Sequence, residues 1–213
     1  TLQQSSAASD VYKRQVDGIL LDLGLSSFQL EDNKRGFSHK FESSLDMRFD
    51  KNSTNNTAEK IVHQNDLKEL TKIFKEYGEE RHAYKIAKRI KELNDKVDVF
   101  AITSVVDQVT PFKYRLKTYS RIFQALRIAT NDELNHLKFF LDNFIDLLSP
   151  QGRIVVISYH SIEDRIVKHK FKDLKNKKKM NLIYKKPLIP SKEEVGLNKR
   201  ARSAKMRVGE KIG

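Results

Sequence analysis

The chain has 213 residues, of which 38% are apolar and 32% charged, a composition that supports a folded core and is unlike that of disordered proteins. It contains no cysteine, which excludes disulfides, thiolate nucleophiles and cysteine-ligated metals, and no apolar run approaches the roughly 18 residues of a membrane span. The net charge of +13 lies almost entirely in residues 151–213, with 18 Lys and Arg against 6 Asp and Glu, which favours nucleic acid as a partner over a merely solvated lysine-rich face.

The first strand is predicted close to the start of the chain. Residues 1–15 are small, polar and aperiodic, and we expect them to form a leader that is disordered or unrelated to the fold. Val16–Leu23, closed by Gly24, is a short apolar run typical of a buried strand in a parallel sheet. A polar loop that begins with Ser26 and Ser27 follows it.

Residues 57–117 predict a series of amphipathic helices. Apolar residues recur there at helical spacing, Asp66 is a candidate N-cap, and the pair Tyr77-Gly78 marks a break. The series ends at Pro111, and residues 119–148 then predict one long helix.

A second buried strand is predicted at Arg153–Ser158, followed by a helix over 162–172 and two late strands at 182–190 and 201–208. This order predicts an α/β fold in which the two buried strands are parallel neighbours and the helices between them lie outside the sheet.

Two polar groups follow the predicted strands, where ligands bind in open α/β sheets. Asp22, Ser26 and Ser27 follow the first strand, and His160 follows the second. A carboxylate at the end of a buried strand needs partners, so Asp22 is either a site residue or a cap of the next loop. His160 is likewise either catalytic or structural. The histidines show no metal-ligand spacing, so no metal site is predicted.

Seven segments together resemble successive motifs of the RsmH/MraW methyltransferases, in the family's order. They are VDGILLDLGLSSFQL, RGFS, LDMRFD, YGEERHAYKIAKRI, RIFQALRIATNDEL, ISYHSIEDRIVK and RARSAKMR, which cover residues 16–207. The resemblance implies a class I (Rossmann-like) methyltransferase core with an inserted helical domain. It also implies S-adenosylmethionine as methyl donor, the N4 amino group of a decoding-centre cytidine in 16S rRNA as acceptor, and a cytoplasmic protein of ribosome biogenesis.

Site residues carry over from the same resemblance. Asp22 matches the aspartate of the family's DLG motif, which contacts the cofactor, and Gln29 matches a second cofactor-contacting position. Phe28 stands where the family usually has proline, and His160 matches the histidine of the family's S-[FY]-H-S segment.

The resemblance also divides the chain into domains. Residues 16–30 and 119–213 correspond to the methyltransferase core, and 31–118 to the inserted, mostly helical domain. The family's first three strands and glycine-rich cofactor loop have no counterpart before Val16, so we expect a core that is incomplete at the N-terminus. A non-catalytic RNA-binding fragment is therefore the alternative to an enzyme.

The implied chemistry assigns roles to the candidate residues. A cytosine amino nitrogen is a poor nucleophile, so acceptors have to hold its N–H groups and align it with the methyl group. Asp22, Ser26 and Ser27 are candidates to accept from this group or to support the cofactor, and His160 either accepts the proton or stacks on the base. Methylation at carbon 5 through covalent attack would need a thiolate, which the chain lacks.

Overall fold

The computed structural model describes residues 15–93 and 97–213, so most of the predicted leader lies outside the described residues. The chain forms two compact units: Thr1–Gly24 with Leu134–Gly213, here named the sheet unit, and Leu25–Glu133, the helical unit. The predicted domain boundaries lie at 30 and 118 instead, and the assignment of domains stays a prediction. Within the described ranges, no helix combines the length and the apolar character needed to cross a membrane.

The sheet unit contains a mixed four-stranded sheet in the order β1-β2-β4-β3. Its strands are β1 (Val16–Asp22), β2 (Leu148–Ser158), β3 (Met180–Leu182) and β4 (Lys205–Lys211). β1 and β2 are parallel neighbours, which confirms the prediction, and β4 is antiparallel to both β2 and β3. The prediction that this first strand is buried is wrong: β1 has a single neighbouring strand in the described sheet, none of its seven residues is buried, and Leu20 is 69% exposed. The mixed α/β architecture is that of a Rossmann-like methyltransferase core.

Among the described residues, three helices accompany the sheet: α7 (Glu133–Leu147), α8 (Ser161–Asn176) and α9 (Lys192–Leu197). Their numbers follow those of the six helices of the helical unit, α1 to α6, which are described below. Apolar faces of α7 and α8 pack on β2, with Phe144 and Phe171 against Ile154 and Val156. This packing buries the face of β2 that its apolar run predicted.

Three predictions about the later elements are wrong in their bounds. The second strand was predicted at Arg153–Ser158 but begins at Leu148 and contains a bulge, because Leu148 pairs with Val16 while Arg153 already pairs with Gly18. The predicted strand 182–190 is reduced to Met180–Leu182 and an isolated bridge between Leu188 and Met206, and the prolines at positions 187 and 190 on either side of that bridge lack the N–H needed to extend it. The predicted strand 201–208 is Lys205–Lys211, since a 3₁₀ helix occupies Lys199–Ser203.

The helical unit contains α1 (Ser27–Glu31), α2 (Ala58–Gln64), α3 (Leu67–Glu76), α4 (Ala83–Lys91), α5 (Val99–Val109) and α6 (Arg115–Asn131). Asp66 caps α3 by accepting from the N–H of Glu69, as predicted. The predicted long helix 119–148 is divided into α6 and α7 because Asp132 adopts a left-handed conformation with φ 49°.

Helix α6 holds two of the motif loops in place. The side chain of Asn131 donates to the carbonyl of Met47 and accepts from the N–H of Phe49, both at 2.8 Å, which fixes the LDMRFD segment. Gly78 of the YGEERHA segment packs so closely that an added Cβ would lie 2.7 Å from the carbonyl oxygen of Arg121. These contacts make α6 the common support of motifs that are distant in sequence.

Replacing Asn131 by alanine should destabilise the helical unit. Asn131 is 7% exposed, so the change leaves backbone groups of Met47 and Phe49 without partners, and we expect a loss of about 2–3 kcal/mol in the free energy of unfolding. Urea denaturation followed by circular dichroism measures it. The matched control is Asn52→Ala, whose exposed side chain should matter by less than about 0.5 kcal/mol. Equal stability of the two variants would contradict this account.

Candidate active site

The candidate site lies where β1 and β2 end together. Asp22 pairs with Ile157 in the parallel register, and the N–H of Leu23 donates to the carbonyl of Ile157 at 3.0 Å, so the ladder continues to the last residue of each strand. The segments that follow β1 and β2 therefore leave the sheet at the same edge. This placement agrees with the rule that ligands bind beyond the carboxyl ends of parallel strands.

Asp22 and Tyr159 form the hydrogen bond that joins the two strand ends. The Tyr159 hydroxyl donates to Oδ1 of Asp22 at 3.0 Å. Burial raises the pKa of Tyr159, and the hydrogen bond to Asp22 and the negative charges of Asp22 and Glu163 raise it further, so the phenol stays a donor at neutral pH. Gly24 next to this pair has φ +92°, a conformation that favours glycine, and an added Cβ would meet the Tyr159 ring at 3.6 Å.

Asp22 also retains an open acceptor. Its carboxylate is exposed, and within the described part of the chain no hydrogen bond reaches Oδ2. An open carboxylate oxygen at a strand end suits the hydroxyl or ammonium group of a ligand such as S-adenosylmethionine, which carries both. The described residues of the sheet unit therefore fit that cofactor at Asp22.

His160 caps helix α8. Its Nδ1 accepts from the N–H of Glu163 at 3.4 Å, and Nε2 lies 3.1 Å from Oε1 of the same residue without the alignment of a hydrogen bond. Glu163, which is 3% exposed, accepts in return from the N–H groups of Tyr159 and His160. This is a capping box with histidine as the cap. The geometry thus gives His160 a structural task, and its catalytic role stays a prediction.

A buried ion pair fixes the first turn of α8 to β4. Arg207 donates from Nε and Nη2 to the two carboxylate oxygens of Asp164, at 2.7 and 3.2 Å, and Nζ of Lys205 lies 3.5 Å from the same carboxylate. Burial raises the pKa of Asp164, but the hydrogen bonds and charges of Arg207 and Lys205 outweigh it and hold that pKa below its usual value.

The other predicted site residues belong to the helical unit. Ser26 and Gln29 form a capping box at the start of α1: the Gln29 N–H donates to the Ser26 hydroxyl oxygen at 3.2 Å, and the Ser26 N–H donates to Oε1 of Gln29 at 3.0 Å. Ser27 is the exposed first residue of α1. That Gln29, Ser26 and Ser27 act together with Asp22 stays a prediction.

Sequence reasoning missed the partners rather than the positions. Tyr159 stands beside His160 in the polar group after β2, and only the parallel register shows that its hydroxyl reaches Asp22. Arg207 was missed as the partner of Asp164 because the register of β4 against β2 is not visible in the sequence.

Loss of the Arg207 guanidinium should destabilise the protein in a pH-dependent way. Arg207→Gln leaves the Asp164 carboxylate undercompensated, at a cost of roughly 2–4 kcal/mol near neutral pH. Folding lowers the pKa of Asp164. The ion pair therefore stabilises the fold at pH values above the pKa of Asp164 in the unfolded chain, about 3.9, and this stabilisation is lost as the pH falls through the lower pKa of the folded state. The difference between the variant and the wild type should therefore shrink in acid.

Urea denaturation over a pH series measures this difference. Arg153→Gln is the matched control: Arg153 of β2 also pairs with a carboxylate, Glu210 of β4 at 2.8 Å, but its side chain is 65% exposed. Arg153→Gln should lower the free energy of unfolding by less than about 1 kcal/mol. A difference for Arg207→Gln that does not change with pH would show that the ion pair is not its origin.

Comparison with known proteins identifies the family. The profile of the MraW methylase family matches residues 1–212, a range that includes the predicted leader. The chain is 44% identical over 220 residues to "Ribosomal RNA small subunit methyltransferase H" of Halothermothrix orenii, which covers 93% of this chain and 70% of that protein. Proteins of the same name from Caldicellulosiruptor saccharolyticus (45% identity, 93% and 70% covered) and Nostoc sp. (40%, 99% and 69%) are similarly related. The chain therefore belongs to the MraW methylase family of methyltransferases, as its seven motifs predicted.

Proposed function

We propose that this chain transfers a methyl group from S-adenosylmethionine to the N4 amino group of a decoding-centre cytidine in 16S rRNA of the small ribosomal subunit. Membership of a methylase family supports the methyl transfer, and the names of the relatives support small-subunit rRNA as the substrate. The observation that carries the proposal in this chain is Asp22, an open carboxylate held by Tyr159 at the carboxyl ends of two parallel strands.

The proposed reaction depends on positioning and on hydrogen-bond acceptors. The bound cofactor supplies an activated methyl group next to a sulfonium charge. The chain then has to hold the cytosine so that its amino nitrogen, whose lone pair is delocalised into the ring, points at that methyl group. Asp22 offers one open acceptor oxygen, and the Tyr159 hydroxyl fixes the other. Such preorganised acceptors would stabilise the positive charge that develops on the nitrogen as its bond to the methyl carbon forms and the methyl–sulfur bond breaks, leaving a neutral thioether. The carboxylate of Asp22 would then take the proton that the nitrogen loses.

The remaining candidates take supporting roles in this proposal. Gln29 contacts the cofactor, and Ser26 and Ser27 accept from the amino group or support the cofactor, as the family resemblance implies. For His160, stacking on the base fits better than accepting the proton, because Nδ1 accepts from the N–H of Glu163 and Nε2 faces the carboxylate of Glu163. The target base has to be turned out of its RNA context to reach these groups.

The basic segment of the chain is proposed to hold the RNA backbone. At the end of α8, Lys178 and Lys179 are exposed, while Lys177 pairs with Asp173 at 2.8 Å on the surface. Surface pairs of this kind contribute little, so all three lysines remain able to meet phosphates. Contacts of this type position RNA without reading its sequence.

Asp22→Asn tests the carboxylate with little change of shape. We expect cofactor affinity or methyl transfer to fall at least about 100-fold, because a charged acceptor becomes an amide. Asp17→Asn is the matched control, since Asp17 is an exposed carboxylate on the same strand. Calorimetry with S-adenosylmethionine and mass spectrometry of nucleosides from treated small-subunit RNA give the two readouts.

Several outcomes of that experiment would reject the proposal. Unchanged activity of Asp22→Asn removes Asp22 from the site. Label at carbon 5, on ribose alone or on a protein side chain excludes N4 as the acceptor. RNA binding by the wild type without any methylation in the presence of cofactor favours the non-catalytic RNA-binding alternative.

Replacing Lys177, Lys178 and Lys179 by glutamine tests the backbone contacts. Each phosphate contact releases counterions, so the triple variant should bind RNA more weakly and its affinity should fall less steeply with salt, by about two units of log–log slope. The matched control replaces Lys68, Lys72 and Lys75, three exposed lysines of α3, in the same way. Binding measured by fluorescence anisotropy over a salt series decides it; equal effects of the two variants would mean that only net charge matters.

A further inference from the structure

A groove between α4 and α5 of the helical unit is separate in sequence from every residue assigned to methyl transfer. The two helices pack through apolar faces that include Ile86 and Ile90 of α4 and Ile102 and Val106 of α5. Beside this contact lie two cavities of about 570 and 390 Å³. Both are lined by Arg89, Glu92 and Gln108, so they form one continuous groove.

One rim of this α4–α5 groove is cationic. Lys85, Lys88 and Arg89 are exposed, and Lys85 lies one turn of α4 before the adjacent pair Lys88 and Arg89. Among the described residues, Glu92 is the one carboxylate that lines the groove, and it is 3.4 Å from Arg89. In the ranges 15–93 and 97–213, no carboxylate pairs with Lys85 or Lys88. Two uncompensated cations therefore face whatever enters the groove.

The groove also presents planar and apolar surface. Tyr84 lines the cavity next to Gln108 and Val109, and Phe100 lines the other cavity next to Leu93 and Val105. The side chains of Tyr84 and Phe100 are 57% and 61% exposed. Large exposed rings beside cations are the combination with which proteins hold single-stranded nucleic acid, through base stacking and phosphate contacts.

We propose that the α4–α5 groove binds a single-stranded segment of RNA, with phosphates along Lys85, Lys88 and Arg89 and bases against Tyr84 and Phe100. The spacing fits, because four residues of helix span about 6 Å, which matches two or three successive phosphates at about 3.4 Å per stacked nucleotide. Phosphate and stacking contacts read no base edges, so the groove should accept many sequences.

An acidic protein helix would also match the cationic rim, but it would leave the two exposed rings without planar partners. The choice of RNA rests on the proposed function, in which the substrate is RNA. The groove therefore adds a second anchoring point for the substrate, distinct from the basic segment that follows α8.

The test measures binding of a short fluorescein-labelled oligouridine to the full chain by anisotropy, without cofactor. Lys85→Gln with Lys88→Gln should weaken binding roughly tenfold and lower the salt slope by one to two units. Tyr84→Ala should weaken binding about five- to fifty-fold through lost stacking, whereas Tyr84→Phe should keep it. Circular dichroism confirms that each variant is folded.

The matched control is Lys68→Gln with Lys72→Gln, which removes the same charge from α3. Affinity of the groove variants equal to that of the wild type, or an equal loss in the control, would overturn the proposal. Binding of an oligoglutamate peptide in place of oligouridine, lost in the Lys85/Lys88 variant, would overturn it in favour of a protein partner. A wild type that binds oligouridine through the groove but does not methylate small-subunit RNA would leave this proposal intact and reject the proposed function.

Discussion

The parallel pairing of β1 with β2 is the constraint on which the candidate site depends. Because Asp22 and Ile157 are partners in register, the two strands end together and their following residues meet at one edge. A shift of one residue would turn Asp22 to the other face of the sheet and remove it from the Tyr159 hydroxyl. The site is thus set by the backbone hydrogen bonds between β1 and β2, which continue up to Asp22 itself.

The turn after β2 is held from two further directions, and this explains the buried carboxylates found there. Glu163 accepts from the backbone ahead of α8, and Asp164 accepts from Arg207 of β4. An isolated buried carboxylate would be costly, but each of these two is met by donors, and both lie where the positive end of the helix dipole favours negative charge. The result is a rigid backbone at Tyr159, whose hydroxyl then reaches Asp22 without further ordering.

The sequence was sufficient for the existence and parallel order of the two strands, the α/β class and the position of Asp22, because apolar runs and their polar ends are local signals; it was wrong that the first strand is buried. It was insufficient where distant segments decide. The left-handed Asp132 divides a continuous helical pattern, and the Asp164–Arg207 pair needs the register of β4. In the helical unit, Asn131 satisfies backbone groups more than 80 residues away, a task that no local pattern in the sequence reveals.

In the proposed reaction, the residues that bind the RNA backbone differ from the residue that selects the base. In the proposed complex, the lysines after α8 and along α4 meet phosphates, which every RNA offers, so they hold the substrate without choosing cytosine. Cytosine differs from uracil in donating hydrogen bonds from N4, where uracil has an accepting oxygen. A carboxylate such as that of Asp22 attracts the amino group of cytosine and repels the oxygen of uracil. The hydrogen bond from the Tyr159 hydroxyl keeps this carboxylate from turning away. In the proposed reaction, selectivity for the base and activation of its amino group would therefore rest on the same acceptor.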